Sequence, residues 1–87
     1  EATPTTQLYP NPNNGNFTLK VNTGSVLNEV AQIKVLDLSG RVVYQTNAKT
    51  INGNLTSNLQ ANLSNGVYMV VCTINGKAQS FRMVVQK

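Results

Sequence analysis

A two-layer, all-β fold of about seven short antiparallel strands is what this 87-residue sequence predicts, and three observations carry that expectation. Apolar and polar residues alternate over short runs, the period of a strand with one face in a core and the other in water. Turn signals built from Gly, Asn, Asp, Ser and Pro interrupt those runs at roughly ten-residue intervals. One run, Val67 to Ile74, is apolar on both faces, so a single open sheet would leave one of its faces wet and a second layer is required.

Glu1 to Gln7 is polar, with Pro4 and several threonines, and reads as a linker (residues 1–7) into a short first strand around Thr6 to Tyr9. Tyr9-Pro10-Asn11-Pro12 stops that strand. Two prolines remove donors and fix φ, and Asn13-Asn14-Gly15 prolongs the break into a tight, exposed bend. In the second strand Phe17, Leu19 and Val21 alternate with Asn16, Thr18, Lys20 and Asn22. Thr23 to Val30 contains Gly24 and Ser25 and reads as a loop, with room for one helical turn at Val26 to Glu29. A hairpin follows, Ile33 and Val35 on one strand and Val42 and Tyr44 on the other, around Asp37-Leu38-Ser39-Gly40. A four-residue type I loop would pair Ile33 with Tyr44 and Val35 with Val42, with Asp37 accepting hydrogen bonds from the loop backbone. A two-residue Ser39-Gly40 turn would instead set Val42 opposite Asp37. Asn47 to Asn54 is a polar connection holding the turn signal Asn52-Gly53, after which Leu55, Ser57 and Leu59 alternate.

The last quarter of the chain reads as a hairpin around Asn75-Gly76, the dipeptide favoured in a type I′ turn because both positions need φ > 0. That turn sets Ile74 opposite Lys77, Cys72 opposite Gln79, Val70 opposite Phe81 and Tyr68 opposite Met83, which gathers the apolar residues of both strands on one face. Val67, Met69 and Val71 then oppose Val84, Arg82 and Ser80 on the other face, the pattern of a central strand beside an edge strand. Tyr68, just inside its strand after Gly66, suits the tyrosine corner of an immunoglobulin-like antiparallel β-sandwich, its hydroxyl bonded to nearby backbone.

Composition excludes several function classes. The net charge of +4 comes from seven cations spread singly: Lys20, Lys34, Arg41, Lys49, Lys77, Arg82 and Lys87. No basic stripe interleaved with aromatics forms, so nucleic acid is not an expected partner. No apolar run approaches the ~20 residues of a membrane-spanning helix, so membrane insertion is not expected. Histidine is absent, and the three acids, Glu1, Glu29 and Asp37, fall at a terminus, in a loop and in a turn. No pair is tuned for proton transfer and no ligand set exists for zinc or calcium, so catalytic residues, metal and cofactor are all expected to be none. The Asn-rich bend at Asn11 to Asn16 could offer carbonyls to a cation, but turn formation accounts for it. The single Cys72 allows no internal disulfide and fits a buried strand position as a small hydrophobe. Asn16, Asn54 and Asn62 match the glycosylation pattern, a cheap match among thirteen asparagines. A start at Glu1 without Met suggests a piece cut from the end of a longer protein.

Several motifs stand in a fixed order. Leu8-Tyr9-Pro10-Asn11-Pro12 is followed by Gly15, Phe17 and Leu19; an apolar strand is followed by Asp37, two residues, Gly40 and Arg41. Leu63-Ser64-Asn65-Gly66-Val67-Tyr68 precedes a strand, then come Asn75-Gly76-Lys77 and, at the chain end, Phe81-Arg82-Met83-Val84-Val85-Gln86-Lys87. Over residues 8–87 this resembles the C-terminal sorting domain of the type IX secretion system, in its type A variant. The family-motif residues are Tyr9, Pro10, Asn11, Pro12, Gly15, Asp37, Gly40, Arg41, Gly66 and Tyr68.

The resemblance implies a non-enzymatic signal in a Gram-negative, Bacteroidetes-type bacterium, covalently fused to upstream cargo. The cargo would cross the inner membrane on its own signal peptide and pass through the periplasm. The outer-membrane translocon and its shuttle components would then recognise the folded domain. A surface sortase-like cysteine protease would remove it, cutting in the linker before Leu8 and leaving the cargo at the cell surface, often joined to lipopolysaccharide, or secreted. Arg82, Val84, Val85, Gln86 and Lys87 are the candidate recognition residues, on an edge strand to which a receptor could add a strand of its own. The bland alternative leaves Val84 and Val85 completing the sandwich and Lys87 as a solubilising charge. The rival function is an immunoglobulin-like or fibronectin-like binding or spacer module of an extracellular enzyme. Carbohydrate binding wants an exposed aromatic platform, and with Tyr44 and Tyr68 turned inward only Tyr9 and Phe17 remain for one.

Overall fold

Seven strands and no helix form among the residues that the computed structural model describes, 5–24 and 28–87. They are β1 (Thr5–Tyr9), β2 (Asn16–Asn22), β3 (Val30–Leu36), β4 (Val42–Lys49), β5 (Asn54–Gln60), β6 (Gly66–Ile74) and β7 (Lys77–Val85). Of the helical turn considered at Val26 to Glu29, Val26 and Leu27 lie outside the described residues, and Asn28 and Glu29 are in no helix.

Two antiparallel sheets result, one in the order β1-β2-β5 and one in the order β4-β3-β6-β7. Alternation decides which side chains meet between them. Phe17, Leu19, Val21, Leu55 and Leu59 of the first sheet face Ala31, Ile33, Val35, Tyr68, Val70, Cys72, Met83 and Val85 of the second. Ala61 and Leu63, on the connection from β5 to β6, close one end of this core. Leu19, Ile33, Val35, Val70 and Met83 are wholly buried. At about 1.5–3 kcal/mol for each large apolar side chain removed from water, these interdigitated residues hold the layers together.

The final hairpin has the register that its turn dictates. Asn75 and Gly76 adopt φ of 53° and 77°, and Ile74, Cys72, Val70 and Tyr68 pair with Lys77, Gln79, Phe81 and Met83. β6 is central and β7 lies at the sheet margin. Asn52 and Gly53 turn the chain likewise, closed by two bonds between Ile51 and Asn54 of 2.8 and 3.0 Å.

Four expectations are corrected. The β3–β4 hairpin does not pair Ile33 with Tyr44 or Val35 with Val42. Gly40, at φ 88°, lets the loop close one step tighter, with Gly40 N–H donating to Asp37 O and Asp37 N–H to Arg41 O. Leu36 therefore pairs with Val42, and a bulge then shifts the ladder so that Val35 meets Tyr44 and Ile33 meets Thr46. Val42 is turned outward at 44% exposure, while Val43 and Tyr44 pack on the core. Second, the linker does not extend to residue 7: the expected first strand forms and begins one residue early, with Thr5, Thr6 and Gln7 of β1 paired with Asn22, Val21 and Lys20. Third, the bend after Tyr9 is not simply exposed, since Asn13 and Gly15 are buried within it. Fourth, Phe17 is 3% exposed, so of the two aromatics left for a carbohydrate platform only Tyr9 is available.

Candidate recognition surface

Strand direction sorts the connections to two opposite poles. The β1–β2 bend, the β3–β4 loop, the β5–β6 connection and the chain end after β7 share one pole. Thr5, the Asn52-Gly53 turn and the Asn75-Gly76 turn share the other. All ten family-motif residues named above consequently stand at or next to the first pole, although 59 positions separate Tyr9 from Tyr68.

The bend is held against β7. After Tyr9, whose bond to Pro10 is cis like that of Asn11 to Pro12, the chain leaves β1 and runs beside the end of β7 before entering β2. Asn13 N–H donates to Val84 O at 3.0 Å, and Gln86 N–H donates to Asn13 O at 2.7 Å, a short parallel bridge between Asn13 and Val85. One step earlier, the Asn11 side chain takes over the work of a strand. Its Nδ2 donates to Arg82 O at 2.9 Å and its Oδ1 accepts from Val84 N–H at 3.0 Å. The buried Asn13 amide is fully satisfied, donating to Pro10 O and accepting from Gly15 N–H. Pro10 and Pro12 stay exposed on the outside of this bend.

Gly15 is fixed by closeness as well as by a φ of 103°. A Cβ there would strike the carbonyl oxygen of Ala61, whose own N–H donates to Gly15 O at 2.8 Å. The β5–β6 connection is fixed in turn by Tyr68, whose hydroxyl donates to Ser64 O at 2.7 Å, the expected tyrosine corner. Asn65 Oδ1 accepts from Lys87 N–H at 2.9 Å and pins the chain end. On the third loop, the Asp37 carboxylate accepts from Ser39 N–H, Ser39 Oγ, Arg41 N–H and Arg41 Nε. The Ser39 hydroxyl first, then the Arg41 amide, hold its pKa below the ordinary 3.8. Asp37 thus serves the loop, as its position suggested.

The last strand divides its residues by face. Arg82, Gln86 and Lys87 are exposed and Val84 is half-buried on the outer side. Val85 is 2% exposed and belongs to the core, which removes it from the readable surface. The unpaired margin expected for strand addition is also corrected: from Arg82 to Gln86 its outward backbone groups are taken by Asn11 and Asn13. What remains to be read there is side chains. The sequence marks Asn13 and Asn65 only as members of a bend and a motif, and Ala61 not at all, because each bonds a partner distant in the chain. Cys72 is buried beside the core, and burial raises its thiol pKa. Among the described residues no group of three His, Cys, Asp or Glu side chains gathers that could hold a metal.

Comparison with known proteins bears on this arrangement. A family model described as "Secretion system C-terminal sorting domain" matches residues 7–86. No curated protein matches the chain. Among solved structures, dimeric latent PorU from Porphyromonas gingivalis aligns with a TM-score of 0.75 at 20% identity, over 98% of this chain and 10% of that one. A β-glucosidase from Listeria innocua, solved with gluconolactone, aligns with a TM-score of 0.56 at 14% identity, over 98% of this chain and 16% of that one. At these identities both likenesses concern the fold alone, and this chain spans only a small part of each of those proteins.

Proposed function

Because this chain belongs to the family of secretion system C-terminal sorting domains, we propose that it directs a protein fused ahead of Thr5 through the type IX translocon, and that the translocon reads it folded. A sorting-signal role and export across the outer membrane to the surface or the medium come with the family. The observation that carries the finer reading is the gathering of Tyr9 to Gly15, Asp37 to Arg41, Gly66, Tyr68 and the chain end at one pole. No linear peptide holds these residues together; only the closed sandwich does. Arg82, Val84, Gln86 and Lys87 are the side chains on the last strand that a receptor reads, next to the bend.

The fused cargo leaves from the opposite pole. β2 alone covers roughly 23 Å at about 3.3 Å per residue, and the body is 37 Å long, so bulky cargo does not shade the reading end. A surface sortase-like cysteine protease then cuts upstream of Thr5, because proteases need extended chain and Thr5 to Gln7 are already paired in β1.

A reporter with a signal peptide, fused to this chain in a type IX-competent Bacteroidetes host, tests the reading. The reporter is expected at the surface or in the medium, with Lys87→Glu and Arg82→Glu retained in the periplasm while the purified variants melt as the parent does. Retention of the parent fusion would overturn the proposal. Side-chain changes are preferable to deleting Gln86 and Lys87, whose backbone amides bond Asn13 and Asn65.

A further inference from the structure

The outer faces of the two sheets differ in kind. On the β1-β2-β5 sheet every outward position of β2 and β5 is polar: Asn16, Thr18, Lys20 and Asn22 beside Asn54, Thr56, Asn58 and Gln60. On the β4-β3-β6-β7 sheet the outward residues run in transverse rows that change from one pole to the other. Val42, Leu36, Met69 and Arg82 form one row across all four strands, and Val67 with Val84 lies just beyond it toward the motif pole. The next row, Gln45, Lys34, Val71 and Ser80, is mixed, and the one after it, Asn47, Gln32, Thr73 and Ala78, is almost wholly polar. Met69 is 40% exposed and Val42 44%. Apart from Val30 at the far end of β3, 59% exposed, the apolar surface of this face is concentrated on the half that adjoins the motif pole, where folding alone has no use for it.

Charge on this face has one sign. Lys34 and Arg82 flank the apolar rows and Lys49 lies on the same face. Neither acid among the described residues stands on it: Glu29 precedes β3 at the far pole, and Asp37 is engaged by its own loop and by Arg41 at 3.1 Å. A partner with an apolar centre and carboxylates around it would match both features at once.

We infer that Leu36, Val42, Met69, Val67, Val71 and Val84, rimmed by Lys34 and Arg82, form a docking face for an acid-rimmed apolar patch of a protein in the export machinery. This rests on the sorting reading and extends its footprint from the last strand to the whole sheet. Met69 sits centrally, and an unbranched thioether adapts to the surface set against it. A protein fits better than a lipid surface, because the cations are few and dispersed.

The test uses the reporter fusion with Met69→Glu, the conservative Met69→Leu, Lys34→Glu, and Thr56→Glu on the opposite sheet, each with Arg82 and Lys87 left in place. Met69→Glu and Lys34→Glu are expected to lower exported reporter, Met69→Glu at least about tenfold, as loss of a central anchor does, with Met69→Leu and Thr56→Glu unchanged. Melting of each purified variant separates docking from folding, and if Met69→Glu melts lower, Lys34→Glu decides. Parental export of folded Met69→Glu or of Lys34→Glu overturns the inference and leaves the sorting reading standing. Failure of the parent fusion overturns both. Flotation of the purified domain with anionic phospholipid vesicles, lost on Met69→Glu, would assign the face to a lipid surface and equally overturn it.

Discussion

Asn11 shows how much one side chain can settle. Its carboxamide offers one donor and one acceptor at the spacing of a peptide group, and it fills the backbone of Arg82 and Val84 as a neighbouring strand would. Asn11→Ala would leave both groups to water and cost about 1–2 kcal/mol, read in a denaturant melt. Gly15→Ala meets a harder limit, a left-handed φ combined with collision against a backbone carbonyl that cannot rotate away, and about 2–4 kcal/mol is expected. Asp37 carries a pH signature. Its folded pKa lies below 3.8, so the stabilisation it gives is present above that value and is lost as pH falls through the lowered one. An acid melt should show this component in the parent and lack it in Asp37→Asn. Cys72, buried with its thiol pKa raised, should resist alkylation in the native domain and react once denaturant opens it.

At the scale of elements, the sequence was most readable where local chemistry and hydrophobic pattern agreed. Asn75-Gly76 chose one register and the alternation of Tyr68, Val70 and Cys72 against Phe81 and Met83 chose the same one. Tyr68 was legible for a similar reason, and Tyr68→Phe, which loses the bond to Ser64, should cost about 1 kcal/mol in the same melt. The β3–β4 hairpin was misread because Val42, Val43 and Tyr44 are all apolar, so pattern could not tell which of them the bulge would turn outward. The bend was read as a bend but not as a clasp. Asn11 reaches a residue 71 positions away, and no local periodicity records such a contact.

For the whole molecule, two layers followed from a central strand that is apolar on both faces, yet only one of those faces is spent on the core. The other is left over, richest beside the motif pole. Sequence motifs named the residues of that pole one by one but not their common location, which depends on strand direction and sheet order.

The β1-β2-β5 sheet meets water through amides and hydroxyls joined across strands, Thr18 to Asn58 at 2.8 Å and Asn22 to Asn54 at 2.9 Å. Such bonds are indifferent to dissolved ions, whereas ion pairs weaken as brine thickens. Among the described residues the one ion pair is Asp37 with Arg41, so the melting temperature should scarcely move between dilute buffer and 1 M sodium chloride. A coat of this kind suits a tail carried out of the cell, where salinity is set by the surroundings and not by metabolism.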